Sequence, residues 1–147
     1  MKKHVLVCIT LLITGCVSGN LKKEIIFTDK APAAIGPYSQ AVCVGHTLYL
    51  AGQIAIEPET GLIVKGGIEQ QTRQVLENIK AVLNAAGFKP CNVVKSLVFL
   101  SDLDNYSAMN KIYAQYFPNE PPARAVVQVV RLPKDVLVEI MVEAIKQ

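Results

Sequence analysis

The spacing of apolar residues along this chain changes from a period of two to a helical period and back. Apolar residues three and four apart from 68 to 86 form one helical face, and Val93–Leu100 reads as a valine-rich strand. A second helical pattern spans Tyr106–Phe117, and strands at Ala125–Val130 and Val136–Ile145 follow. With the strands that precede residue 68, this order predicts an α+β fold with one mixed sheet and two helices packed on one face.

Glycines mark the predicted turns. Gly45 stands in the first central position between runs at Ala41–Val44 and Thr47–Ala51, which predicts a hairpin with a two-residue type II′ turn. A short strand is predicted before it at Ile25–Phe27. Gly87 follows the first helical pattern and is a suitable residue to end it.

The N-terminus has the pattern of an export signal. A cationic start at residues 1–4 precedes an apolar run, Val5–Ile13, and the run is far shorter than the ~20 residues that span a bilayer. Thr14, Gly15 and Cys16 follow it, and the whole resembles a bacterial lipoprotein signal in which cleavage before the cysteine leaves it as a diacylated N-terminus. The alternatives are a buried N-terminal strand or a misassigned start codon, which would leave the protein in the cytoplasm.

We therefore expect a signal at residues 1–15, a tether at 16–24 and one domain at 25–147, exported and lipid-anchored on the periplasmic side of the cell envelope. Removal of the signal takes away Lys2 and Lys3 of the 15 basic residues, which leaves 13 against 12 acidic residues and a net charge of +1. Such a surface has no strong electrostatic attraction for nucleic acid, so neither nucleic acid nor an anionic membrane surface is expected as a partner.

The cysteines and histidines left after cleavage are few. Cys43 and Cys91 are 48 residues apart without a paired-cysteine motif, so a zinc or redox site is not expected. A disulfide between them and two separate core positions remain open alternatives. His46, the one histidine left, lies in the predicted turn, which makes a histidine-based triad or metal site a poor fit.

Arg124 and Glu139 are the polar residues that stand out. Arg124 follows the rigid Pro121-Pro122-Ala123 segment at the entrance to a strand, where its planar guanidinium is suited to bind a carboxylate. An ordinary salt bridge to a nearby acid is the alternative. Alternation places Glu139 between Leu137 and Met141 on one face of the last strand, where it would be costly unless paired or hydrated. The alternative is that Glu139 and Glu143 lie on a solvated face of an edge strand.

Several segments together resemble the Rid (YjgF or L-PSP) family. They are Ala31–Gln40, Ala51–Ile54, Val93–Lys95 with Asp102, Leu103 and Asn110, and Pro122–Arg124 followed by Arg131–Asp135. The resemblance runs from about Ile25 to the C-terminus and implies a chorismate-mutase-like fold assembled as a homotrimer with clefts between subunits. The best-characterised branch of that family hydrolyses 2-imino and enamine acids to 2-oxo acids and ammonia, without a metal or cofactor.

The resemblance also implies roles for single residues. Arg124 matches the carboxylate-binding arginine, Glu139 the acid that works with the attacking water, and Tyr38 the loop tyrosine that closes over the substrate. Asn110 and Gly52 match positions that line the cleft.

Two positions depart from the family pattern and border the expected substrate site. Ala51 stands where many members have a serine, and Val126 where some have a cysteine. Ala51 and the export signal favour a second hypothesis, a non-catalytic small-metabolite-binding or chaperone-like trimer. A third, ribonuclease activity, is disfavoured by the near-neutral charge and the single remaining histidine.

Overall fold

The computed structural model describes residues 21–146. The predicted signal, the lipidation site Cys16 and the first part of the tether lie outside the described residues and stay predictions. Among the helices of the described range, none is long and apolar enough to cross a membrane.

Six strands and two α-helices make up the described part of the domain. The strands are β1 (Lys23–Ile26), β2 (Ala41–Val44), β3 (Thr47–Gln53), β4 (Val93–Leu100), β5 (Ala123–Gln128) and β6 (Val138–Ile145), and the helices are α1 (Ile68–Ala85) and α2 (Tyr106–Tyr116). The strands form one sheet in the order β1-β2-β3-β6-β4-β5, in which only β4 and β5 run parallel. The predicted α+β class with one mixed sheet is confirmed.

Both helices cover the same face of the sheet. The side chains of β6 that face the helices are Val138, Ile140, Val142 and Ala144, each at most 1% exposed. These side chains pack with the apolar face of α1 and with residues of α2 in one core. The opposite row of β6, which carries Glu139, remains half-buried, as the alternation predicted. Because β6 lies between β3 and β4, the edge-strand alternative for Glu139 is wrong.

The turns follow local backbone chemistry. Gly45 has a φ of +60° between β2 and β3, as the predicted type II′ turn requires. Gly87, with a φ of +73°, ends α1: its N–H donates to the Asn84 carbonyl at 3.0 Å, and the Phe88 N–H donates to the Leu83 carbonyl at 2.8 Å. This is a Schellman motif, with buried Phe88 as its apolar contact.

Three sequence predictions need correction. The last strand begins at Val138 and not at Val136, because a short 3₁₀ turn at Pro133–Asp135 with two left-handed residues precedes it. The strand predicted at Ala125–Val130 is displaced by two residues, to Ala123–Gln128. Cys43 is a core residue, but Cys91 is exposed, and neither is in a disulfide.

Candidate active site

Glu139 faces a cavity of about 280 Å³ on the open face of the sheet. Its register partner on β4 is Phe99, which also belongs to the open face. The other lining residues come from the loop before β2, from β3 and its end, and from the turn before β6; they are Ile35, Tyr38, Ala51, Gly52, Ile54 and Pro133. Four of the residues singled out in the sequence, Tyr38, Ala51, Gly52 and Glu139, therefore share one cavity.

Gly52 makes room for the Glu139 carboxylate. The pairing of β3 with β6 shifts between Leu50 and Gln53, which places a β-bulge at the cavity. A methyl group built on Gly52 would overlap Oε1 of Glu139. Any larger residue at position 52 would therefore displace the carboxylate.

The loop that carries Tyr38 is anchored by a buried glutamine. The Gln40 side chain accepts the Thr28 N–H at 2.7 Å and donates to the carbonyls of Thr28 and Pro32 at 3.0 and 2.8 Å. Beyond this anchor, the Tyr38 hydroxyl accepts the Ile35 N–H at 3.2 Å. The tyrosine ring is half-exposed at the cavity rim, held by its own loop.

Burial raises the pKa of Glu139. Desolvation is the cause because it disfavours the charged carboxylate, and no basic group of the described chain acts in the other direction. A carboxyl group with a raised pKa is suited to accept or return a proton near neutral pH.

Arg124 lies in a different environment, against α2. Its Nη2 donates to Oδ1 of Asn110 at 2.6 Å, and its guanidinium carbon lies 4.4 Å from the centre of the Tyr113 ring. Within residues 21–146, no carboxylate is within ion-pair distance of Arg124, so the salt-bridge alternative is not found there. The guanidinium is held by an amide and an aromatic ring, and its charge remains available to an anion.

Arg124 and Asn110 border a cavity of about 450 Å³. Its other walls are apolar and consist of Tyr113, whose hydroxyl is buried, with Ala114, Phe117, Pro121 and Pro122. One fixed positive charge beside apolar walls is suited to a small carboxylic acid with an apolar body. Arg124 and Asn110, both predicted as site residues, are thus brought together.

Tyr106 also contacts the arginine. Its ring centre lies 5.9 Å from the guanidinium carbon, within the range of a cation–π contact. The Asn110 side chain and the positive charge on Arg124 lower the pKa of Tyr106, because both favour the phenolate. The Tyr106 hydroxyl is therefore a third polar group at this site, beside Arg124 and Asn110.

The two groups of predicted residues do not meet within one chain. Arg124 is the ladder partner of Ser96, which pairs in turn with Val142 on the helix-covered face. Glu139 is three residues from Val142 on the same strand and points to the other face. Val126, also predicted as a site residue, packs against the main core and does not line the Arg124 cavity.

Tyr106 and Tyr113 were missed as site residues. The aromatic stripe on this helix reads as core from the sequence alone, and Tyr113 is indeed only 5% exposed. Their spacing from Asn110, four residues before it and three after it, places all three on one helical face. The signal that could have identified both tyrosines is therefore their helical spacing from Asn110, which the family resemblance already assigns to the cleft.

Comparison with known proteins identifies the family. The family model described as Endoribonuclease L-PSP matches residues 28–146, which is most of the chain. The chain belongs to the Rid, or L-PSP, family. The match begins after the predicted signal and tether, so it bears only on the folded domain.

Some Rid relatives of high identity are named only by family, and others are named by an activity. A protein named RutC family protein from Pyrococcus horikoshii is 57% identical over 125 residues, covering 85% of this chain and 99% of the relative. The proteins named 2-iminobutanoate/2-iminopropanoate deaminase from Capra hircus and Homo sapiens are 49% and 46% identical over 127 residues. Each match covers 86% of this chain and 93% of the relative.

Solved structures of Rid proteins share the fold. RidA from an Antarctic Psychrobacter species has a TM-score of 0.81 at 46% identity, covering 84% of this chain and 99% of that one. TdcF of E. coli with bound serine has the same TM-score at 42% identity and the same coverage.

Proposed function

We propose that this protein hydrolyses 2-imino and enamine acids to 2-oxo acids and ammonia. Arg124 binds the substrate carboxylate, and Glu139 positions the water that attacks the imino carbon. Water adds to the carbon of the protonated imine while one proton of the water passes to Glu139, which gives a carbinolamine. Glu139 then returns this proton to the amino nitrogen, the C–N bond breaks as the hydroxyl group forms the carbonyl and loses its proton, and ammonia and the 2-oxo acid are released. The deaminase relatives at 46–49% identity support this reaction.

The observation that carries the proposal is the state of Arg124. A guanidinium that is oriented by Asn110 and Tyr113, without an acidic partner in the described chain, has a bidentate face free for an anion. Fixing the carboxylate fixes the neighbouring imino carbon, which provides the orientation that a readily hydrolysed substrate needs. Serine bound in the structure of TdcF supports a small carboxylic acid as ligand.

The reaction needs Arg124 and Glu139 at one substrate, so we propose that a neighbouring copy supplies one of them. In the part of the chain that the structure describes, the face of the sheet that carries Glu139 has no helices over it, and it exposes Tyr49 and Val127 at 50% and 45%. Association of copies through this face, in the trimer that the resemblance implies, would bury these side chains and join two half-sites, the cavity at Glu139 and the cavity at Arg124.

A non-catalytic binding role is the second candidate. Ala51 lines the Glu139 cavity without the hydroxyl that a serine would offer to substrate or water. A trimer that binds small carboxylates without turnover would use Arg124 in the same way and would not need Glu139.

The deciding experiment generates 2-iminobutanoate in situ with an amino-acid oxidase and traps the free imine with semicarbazide. Residues 17–147 of the wild type should suppress the trapped product, and Arg124→Ala should not. Arg73→Ala is the matched control, because Arg73 is an exposed arginine on α1 that contacts Gln115 and neither half-site. Suppression by Arg124→Ala equal to that by the wild type would reject the role of Arg124, and absence of suppression by the wild type would exclude this function.

We also propose that the protein is exported and anchored to the cell envelope through a lipid on Cys16. The cationic start, apolar run and following cysteine support this proposal.

A further inference from the structure

Arg124 needs more than one contact to act as an oriented clamp. An arginine side chain loses considerable rotamer entropy when it is held in one conformation. Within residues 21–146, Arg124 makes one well-aligned side-chain hydrogen bond, from Nη2 to Asn110, which fixes one end of the guanidinium and leaves rotation of its plane. The other contacts of the group must therefore set that plane.

Tyr113 provides the closest such contact. Its ring centre lies 4.4 Å from the guanidinium carbon, against 5.9 Å for the ring of Tyr106. Tyr113 is itself immobilised, since it is 5% exposed and packs on Phe117 at a ring-centre distance of 4.7 Å. A buried ring held in this way is a rigid surface for a guanidinium.

The Tyr113 hydroxyl has no comparable role. It points into the protein near the hydroxyl of Ser96, the ladder partner of Arg124, and in the described chain neither oxygen has a well-aligned hydrogen bond. Burial accordingly raises the pKa of Tyr113, against the opposing effects of Ser96 and Arg124. The ring and the hydroxyl can therefore be separated by mutation.

We infer that Tyr113 is a positioning residue for Arg124, whose ring face fixes the guanidinium plane so that the remaining donors meet the substrate carboxylate. The catalytic part of this inference rests on the proposed function. The effect of Tyr113 on the order of Arg124 and on carboxylate binding does not depend on turnover.

Tyr113→Phe and Tyr113→Met test the inference. Phenylalanine keeps the ring, and methionine fills much of the volume without it. Nuclear magnetic resonance of the Arg124 Nε–H should show an ordered side chain in the wild type and in Tyr113→Phe, and a mobile one in Tyr113→Met. Loss of a cation–π contact should weaken 2-oxobutanoate binding and raise the KM for the imine roughly 3- to 30-fold in Tyr113→Met, with kcat changed much less.

Tyr116→Met is the matched control, since Tyr116 lies on the same helix and donates to Glu77 away from both half-sites. If Tyr113→Met does not fold, trifluorinated phenylalanine at position 113 keeps the shape of phenylalanine with an electron-poor ring, and it should weaken 2-oxobutanoate binding relative to Tyr113→Phe. The inference is overturned if the Arg124 side chain is as ordered in Tyr113→Met as in Tyr113→Phe. It is also overturned if 2-oxobutanoate binds equally well with phenylalanine and with trifluorinated phenylalanine at position 113. Failure of the wild type in the imine assay would instead reject the proposed function.

Discussion

Arg124 and Glu139 project from opposite faces of the same sheet. Arg124 pairs with Ser96, and Ser96 pairs with Val142, so these three side chains share one face. Glu139 is three residues from Val142 on the same strand and therefore points to the opposite face. A functional site that uses both side chains must therefore be formed by two copies of the chain, with the open face of one copy near α2 of the other.

Mixed oligomers test this arrangement. Arg124→Ala and Glu139→Gln should each be inactive alone, and co-expression of the two should restore activity, because some interfaces then combine an intact Arg124 with an intact Glu139. Random pairing would repair about a quarter of the sites in a closed ring. Activity is measured on purified, differently tagged hetero-oligomers. Absence of recovery in oligomers shown to be mixed would contradict a shared site.

Gly52→Ala should damage the Glu139 half-site through sterics alone. The added methyl group overlaps the end of the flexible Glu139 side chain, which must move into the cavity, so we expect a loss of at most about 1 kcal/mol in the free energy of unfolding, together with loss of imine hydrolysis. In a double-mutant cycle with Glu139→Ala, most of the stability should return while activity stays absent. Denaturant unfolding and the semicarbazide assay give the two readouts.

Gly67→Ala is the control for this substitution, because a methyl group there meets nothing closer than 4.0 Å. It should cost less than about 1 kcal/mol and leave activity intact. Additive stability losses in the Gly52 and Glu139 cycle would show that the two residues do not compete for space.

The periodic parts of the fold were predictable because local chemistry determines them. The apolar spacing of α1, its end at Gly87 and the two faces of β6 depend on residues within each element, and all three were predicted correctly. The start of β6 was not, because consecutive left-handed residues at Lys134 and Asp135 bend the chain first. Nothing in an apolar run from Val136 onward signals that bend.

The site was predictable as residue types and not as an arrangement. Arg124 and Glu139 were identified from their positions on strands, but their relative placement depends on the strand order and on register across β4, which no local pattern encodes. Tyr113 was read as core for a similar reason: its burial is real, and its contact with Arg124 is tertiary.

The pKa of Glu139 reports whether another copy brings Arg124 near. In the single chain, burial alone shifts the pKa of Glu139, and the shift is upward. A positive charge from a neighbour would lower the pKa, so Arg124→Ala should raise it relative to the wild type. Carboxyl ¹³C titration measures both values. Identical titration curves would show that no Arg124 lies close to Glu139 in the assembly.

The same shift has a consequence for stability in the Arg124→Ala background. A carboxyl group whose folded pKa is raised loses stability as the pH rises from its unfolded pKa through its folded pKa. Glu139→Gln removes that loss, so it should raise the melting temperature at about pH 7 and leave it nearly unchanged at about pH 4, where the carboxyl is largely protonated in both states. An equal gain at both pH values would point to packing and not to charge.

Lipidation of Cys16 is tested in cells. A clickable palmitate analogue should label the full-length protein in the membrane fraction, and Cys16→Ala should abolish the labelling. Cys91→Ala is the control, because Cys91 is an exposed cysteine in the folded domain. Labelling that persists in Cys16→Ala would argue against a lipoprotein signal.

Tyr106 should make carboxylate binding sensitive to alkaline pH. The Asn110 side chain and the charge on Arg124 lower the pKa of the Tyr106 phenol, so phenolate forms at a lower pH than for an ordinary tyrosine. The phenolate would then compete with substrate for Arg124, and the dissociation constant of 2-oxobutanoate should rise as the pH passes through this pKa. Tyr106→Phe has no ionisable hydroxyl and should bind 2-oxobutanoate with little change over the same range, as measured by calorimetry. A parallel loss of affinity in both proteins would assign the alkaline effect to a group other than Tyr106.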